Sequence, residues 1–179
     1  MFVIMGDAHV PGRAARIPEE LLAKVKGMKP HTVLWTGDFT DRRTFETVNS
    51  IAELKAVKGN MDMLDFPFYH IIELKGRKLL LIHGDVVRPR GNREGLIQLC
   101  RKYGCSIIVC GHTHIQDFFE DKGVFLINPG SCTGSGSGAG IKLEPSFASL
   151  DEENLKVTLY RLSGSNWEEK QFSLEKQHL

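Results

Sequence analysis

Short apolar runs, many of them β-branched, recur along this chain, separated by stretches of helical spacing or by turn residues. Phe2–Met5 reads as a first strand and His31–Thr36 as a second. Between them Pro18 opens a helix to about Met28. Proline suits a first helical turn, Glu19 and Glu20 suit its dipole, and Leu21, Leu22 and Val25 share a face. Asp41 is placed to cap a helix to about Leu54, with Phe45, Val48, Ile51 and Ala52 facing inward. A third strand at about Lys55–Lys58 completes a βαβαβ pattern, which implies a parallel sheet with right-handed crossovers.

Beyond Asn60 the pattern turns to hairpins. Phe68–Leu74, a Lys75-Gly76 turn and Lys78–His83 form the first, and Ile115–Glu120, Asp121-Lys122-Gly123 and Val124–Asn128 the second. Between them lie a helix from Asn92 to about Tyr103, closed by Gly104, and a strand over Ser106–Gly111. The loop from Pro129 to Pro145 holds Gly-Ser-Gly-Ser-Gly-Ala-Gly. It lacks the Lys-Ser/Thr of a phosphate-binding loop and so reads as flexible. Three late strands follow near Phe147–Leu150, Lys156–Leu162 and Trp167–Leu174. Val3, Ile4, Val33, Leu34, Leu80, Leu81, Ile107, Ile108 and Ile127 are the expected core. With 179 residues, no repeat and no linker, residues 1–179 read as a single α/β domain.

Composition narrows the function mainly by exclusion. A net charge of +1 provides no basic field for nucleic acid, and no aromatic platform accompanies one. No apolar run reaches the ~18 residues of a membrane span, and nothing resembles a signal peptide. Cys100, Cys105, Cys110 and Cys132 contain no C-x-x-C pair and sit among apolar or small residues. They read as buried reduced thiols of a cytoplasmic protein, not as a zinc finger.

The chemistry sits where the apolar runs stop. Met1–Met5 leads into Gly6-Asp7-Ala8-His9, Val33–Thr36 into Gly37-Asp38, Lys55–Lys58 into Gly59-Asn60, Leu79–Ile82 into His83-Gly84, and Ile107–Cys110 into Gly111-His112-Thr113-His114. Ligands of open α/β sheets gather at the carboxyl ends of strands. An extended His-x-His aims both rings to one side. Alone, that pair fits two polar loop histidines as well as half a metal site. Four of the chain's seven histidines at such strand ends favour the metal site.

Taken together and in this order, Asp7-x-His9, Gly37-Asp38, Gly59-Asn60, His83 and Gly111-His112-x-His114 resemble the calcineurin-like metallophosphoesterase superfamily. The resemblance covers Phe2 to about Ser131. Compact size, the absence of histidine after Asn60, and Asn128-Pro129-Gly130-Ser131 narrow it to the small phosphodiesterase branch that includes the small retromer subunit. The resemblance implies a four-layer αββα sandwich and two divalent ions, manganese first, with nickel, iron or zinc as alternatives. It implies Asp7, His9, Asp38 and His114 around one ion and Asp38, Asn60, His83 and His112 around the other, with Asp38 bridging. Asp38, Asn60 and His112 stand closest to the reaction, in which a hydroxide generated between the ions attacks phosphorus in line. The implied substrate is a phosphodiester small molecule.

Several positions stay open at the level of sequence. Asp38-Phe39-Thr40-Asp41-Arg42 is similar to a longer family motif. There Arg42 would contact phosphate and Asp41 would orient a ligand histidine, against the alternative of a helix cap and a solvated arginine. Arg88, Arg90 and Arg93 form a basic loop after His83 that meets either substrate or solvent. Met61 stands where many members carry the histidine that protonates the leaving group, and a thioether transfers no proton. The alternative function is a scaffold of the same fold that binds partner proteins with little or no catalysis. A homo-oligomer is compatible with either reading.

Overall fold

The computed structural model describes residues 1–138 and 140–175. In chain order the elements are β1 (Phe2–Met5), α1 (Glu19–Gly27), β2 (Thr32–Trp35), α2 (Arg42–Asn49), β3 (Glu53–Ala56), β4 (Tyr69–Leu74), β5 (Arg77–Ile82), α3 (Arg93–Lys102), β6 (Ile107–Val109), β7 (Asp117–Asp121), β8 (Val124–Asn128), β9 (Ser146–Asp151), β10 (Lys156–Ser163) and β11 (Asn166–Ser173). A six-stranded sheet runs in the order β11-β10-β9-β1-β2-β3, and a five-stranded sheet in the order β4-β5-β6-β8-β7. In the first, β1, β2 and β3 are parallel, as the βαβαβ pattern implies. In the second, β5, β6 and β8 are parallel and flanked by antiparallel edges.

Strand alternation builds four layers. Val3, Met5, Val33 and Trp35 face Leu21 and Val25 of α1 and Val48 of α2. Their neighbours Phe2, Ile4 and Leu34 face the opposite way, onto Leu79, Leu81, Ile107, Val109 and Ile127 of the second sheet. Leu80, Ile82 and Ile108 meet Leu96, Ile97 and Cys100 of α3. The order is helices, sheet, sheet, helix: the αββα sandwich. Strands buried on both faces need unbroken apolar runs, which is how Phe2–Met5 and Leu79–Ile82 read. All of the residues expected in the core are fully buried.

Some boundaries differ from the sequence reading. The second helix stops at Asn49, where Ser50 N–H closes onto Glu46 O and Ile51 N–H onto Val48 O, and Leu54 is drawn into β3 opposite Val33. The strand expected at Ser106–Gly111 ends at Val109, because Cys110 N–H donates to Ile127 O and the chain then turns into the His112 loop. The late strands join the first sheet through β9, which pairs antiparallel with β1. The Gly/Ser-rich loop is a hydrogen-bonded turn, not a slack linker. Gly136 N–H donates to Ile141 O (2.8 Å), Leu143 N–H donates to Gly134 O (2.7 Å), and Ser131 and Ser135 are buried.

All four cysteines are free and buried. Burial pushes the Cys100 thiol up to about 12. Among the described residues no helix is long and apolar enough to cross a membrane.

Candidate metal centre

The parallel strands deliver their loops to one end of the sandwich. Asp7 and His9 follow β1, Asp38 follows β2, Asn60 follows β3, His83 follows β5, and His112 and His114 follow β6. Glycine makes the close approach of these loops feasible. A Cβ on Gly37 would lie 2.6 Å from His83 Nδ1, and one on Gly59 would collide with the Asp38 carboxylate. Backbone bonds lace the loops together: Asp7 N–H to Gly37 O (2.9 Å), Gly111 N–H to His83 O (2.9 Å), and His112 N–H to Asp7 Oδ2 (2.9 Å).

The imidazoles are held in defined tautomers. His83 Nδ1 lies 2.7 Å from Thr36 O and His114 Nδ1 lies 2.7 Å from Ser135 O. A carbonyl only accepts, so each Nδ1 carries the proton and each Nε2 faces the interior. There His9 Nε2 and His114 Nε2 are 3.1 Å apart, His112 Nδ1 lies 3.2 Å from His83 Nε2, and Asn60 Oδ1 lies 3.1 Å from the same atom. Asp38 divides its oxygens. Oδ1 accepts from Met61 N–H (2.9 Å), while Oδ2 lies 3.2 Å from His9 Nε2 and 3.4 Å from His83 Nε2. Asp7, His9 and His114 converge as one group, and Asp7, Asp38 and His83 as another.

The backbone is distorted to achieve this. Asp7, His9, Asp38, His112 and His114 all have φ between 49° and 68°, in the left-handed region. Such a conformation costs about 1–3 kcal/mol for a non-glycine residue and persists where the surroundings over-determine it. His112 and His114 therefore do not form an extended pair aimed to one side. The turn at each residue sends His112 to His83 and His114 to His9.

The electrostatics call for positive charge. Asp7 is fully buried, and its Oδ1 has no hydrogen-bond partner. Burial pushes its carboxyl up to about 7, against the pull of the His83 charge. Burial also opposes charge on Asp38, yet the hydrogen bonds from His83 and His9 hold that carboxyl far below the usual carboxylate range. Burial disfavours charge on His83 as well, but Asp38 and Asp7 outweigh it and raise the imidazole to about 9. His112 is pushed down to about 4 by burial and then by the charges of His83 and Arg90. His114 is also pushed down to about 4, by burial and the charges of His9, Arg90 and Arg13, although its bond to Ser135 works the other way. A buried orphan carboxylate oxygen, a second carboxylate held ionised, an amide oxygen, and imidazole nitrogens aimed inward, of which that of His83 becomes a donor to metal once its proton is displaced, fit divalent cations with mixed nitrogen and oxygen ligands.

The sequence model of the calcineurin-like phosphoesterase superfamily domain matches residues 1–154. The chain belongs to this superfamily. A probable metallophosphoesterase of Methanocaldococcus jannaschii is 35% identical over 130 residues, 73% of this chain and 67% of that protein. The zinc complex of wild-type Vps29 from Entamoeba histolytica superposes with a TM-score of 0.87 at 30% identity, covering 97% of this chain and 99% of that one. Vps29 of Chaetomium thermophilum in complex with a cyclic peptide superposes at 0.80, covering 98% and 97%; its 24% identity supports a shared fold alone.

Within this phosphoesterase fold, the seven residues expected as ligands come together at one place. Asn60 alone among them is exposed and marks the open side of the cluster. Asp41 and Arg42 are placed elsewhere. Asp41 Oδ1 caps α2 by accepting from Thr44 N–H (3.0 Å), and Arg42, 82% exposed in its side chain, pairs with Glu46. Neither is brought to the cluster, because local helix capping and an i,i+4 pair take both side chains. Arg88 folds back on its own loop and Arg93 pairs with Asp117 (2.7 Å), whereas Arg90 Nη2 donates to His112 O.

Four contributors were given no role at the site from the sequence, although Asn128 and Ser131 belong to the motif that narrows the resemblance. Asp62 accepts from Asp38 N–H (2.8 Å), Gly59 N–H (2.9 Å) and Thr40 N–H (3.1 Å), tying the β2 and β3 loops together. Asn128 donates to Gly111 O (3.0 Å) beneath the His112 turn. Ser131 donates to Asp7 O (2.8 Å), and Ser135 offers the carbonyl that fixes His114. The available signal was position: Asp62 lies two residues after Asn60, and the serines lie in the loop that leaves β8.

Proposed function

We propose that the chain is a metal-dependent phosphodiesterase with a two-ion centre. Asp7, His9, Asp38 and His114 would hold one ion, and Asp38, Asn60, His83 and His112 the other, with manganese the first candidate. When bound, such a pair supplies Lewis acidity that activates water near neutral pH and neutralises charge on phosphate oxygens. The observation that carries this reading is Asp38: one oxygen is tied to the backbone, and the other lies between His9 and His83.

The protein's own groups supply orientation and exclusion of water. Thr36 O and Ser135 O fix the tautomers of His83 and His114, and the surrounding loops keep five of the seven candidate ligands almost completely buried alongside His112 at 8% exposure. The open side is bordered by Asn60 and by Met61, which is 49% exposed. Met61 transfers no proton. Among the described residues no spare histidine substitutes for it: His31 bonds to Thr32 and Glu152, and His70 to Ala56 O. Leaving-group protonation then falls to water.

The test uses chelator-stripped protein with Mn²⁺, Ni²⁺, Fe²⁺ or Zn²⁺ restored singly. Bis-p-nitrophenyl phosphate should be hydrolysed with Mn²⁺, and activated aryl esters should outpace alkyl esters by far, since general acid help is worth ~10²–10⁴-fold. A shallow dependence on leaving-group pKa would mean that another acid is present.

A scaffold reading has its own observation: nearly the whole chain superposes on Vps29, and one Vps29 carries a bound cyclic peptide. A partner-binding protein would keep the fold, and the metal if bound, without turnover.

A further inference from the structure

Two guanidinium groups reach the rim of the cluster from the loops that supply its candidate ligands. Arg13 follows His9 after β1, and Arg90 lies in the loop that begins at His83. Arg90 Nη2 donates to His112 O. Arg13 Nη1 donates to Gly136 O (3.0 Å), the carbonyl next to the Ser135 O that fixes His114. Each arginine thus spends one donor on a backbone segment that orients a histidine, and among the described residues the rest of its five-donor fork meets no acceptor.

Among the described residues neither has a carboxylate at ion-pair distance, a state shared with Arg43, Arg77 and Arg88 but not with Arg16, Arg42, Arg93, Arg101 and Arg161. Arg90 feels the carboxylate of Asp7 first, then the charge of Arg13 and that of Asp38, and both arginine charges reach His114. Bound cations would take up the charges of Asp7 and Asp38; the two like charges are then left to each other, and an anion placed between them relieves the repulsion. Beside Arg90 a groove of about 550 Å³, bordered by Thr113, Ile115, Gln116 and the Arg93–Asp117 ion pair, leaves room for the rest of a ligand.

We propose that Arg13 and Arg90 form a clamp for a second phosphate group of the substrate, beside the phosphate that the metal centre takes. The proposal rests on the phosphoesterase reading and narrows its substrate class to organic phosphates that carry a further phosphate. Arginine suits this task because its planar fork matches two phosphate oxygens at once. It also assigns phosphate recognition to these two loops and not to Arg42.

The experiment is calorimetric titration of ADP and AMP into the full chain loaded with Mn²⁺, at fixed free Mn²⁺. ADP should bind at least about 10-fold more tightly than AMP, as expected for one added charge-assisted contact. The ratio should fall below about 3-fold in Arg13→Gln/Arg90→Gln. Arg13→Gln alone, which leaves the His112 carbonyl contact intact, must lower the ratio too, so loss of metal from the double variant leaves the test standing. Equal affinities in the unmodified protein, or a ratio unchanged by either variant, overturn the clamp. Failure of the underlying reading shows separately, as absent turnover of bis-p-nitrophenyl phosphate, because the affinity ratio requires no hydrolysis.

Discussion

Asp7 shows most plainly how the cluster trades stability for chemistry. One oxygen accepts from His112 N–H, and the other is buried without a partner. A charge in that position destabilises the metal-free fold unless a cation meets it. Asp7→Asn keeps an oxygen for His112 and removes the charge. In chelator at pH 8 this variant should be more stable than the unmodified protein by about 1–3 kcal/mol, and with saturating Mn²⁺ the order should reverse. Denaturant midpoints in the two buffers read this directly; a variant less stable in both would show that Asp7 is satisfied without metal. At this scale the sequence was informative about which residues gather, because each follows a strand and in most cases a glycine. It was misleading about conformation. Positive φ at Asp7, His9, Asp38, His112 and His114 is imposed by neighbouring loops, which no local pattern encodes. Asp41 and Arg42 take the second of the two alternatives left open by the sequence, as a helix cap and an exposed arginine paired with Glu46.

The loops act as elements through side chains that bind backbone. Asp62 takes three N–H groups from the segments that present Asp38 and Asn60, so its carboxylate sets the spacing of two candidate ligands without being one itself. Asp62→Ala should weaken Mn²⁺ binding by about 10–100-fold, the usual range for partners that orient ligands, with little change in far-ultraviolet circular dichroism. Asp62→Asn, which keeps one strong acceptor, should recover part of that loss. Unchanged metal affinity in Asp62→Ala would reduce the residue to a turn-former. The Gly/Ser loop carries a related lesson. Its composition suggests slack chain, but Ser131 and Ser135 turn inward to satisfy buried carbonyls near Asp7. Composition reports flexibility only where such partners are missing. The early end of α2 follows the same logic, since pairing of Leu54 with Val33 outweighs further helical spacing.

For the molecule as a whole, the βαβαβ unit and the hairpins were legible, because their period and turn residues are local. The division into two sheets came only through the family resemblance and the insertion of β9 beside β1 not at all, because both depend on pairings across most of the chain. Both sheets bury Ile4, Leu34, Leu81, Ile107 and Ile127 in a shared core. We therefore expect residues 1–179 to unfold as one cooperative unit in calorimetry; two separable transitions would divide the chain into domains. Mn²⁺ at 100 times its dissociation constant adds about 2.7 kcal/mol, which should raise the midpoint by about 5–11 °C.

The central claim is that this end of the sandwich is a two-ion phosphodiesterase centre, and stoichiometric titration of activity tests it most directly. Metal-stripped protein receives Mn²⁺ in steps while hydrolysis of bis-p-nitrophenyl phosphate and bound metal are followed together. The account predicts a rate that saturates at two bound ions per chain, and Asp38→Asn that lacks most of that rate. A chain that binds two ions and hydrolyses neither diesters nor monoesters would contradict it.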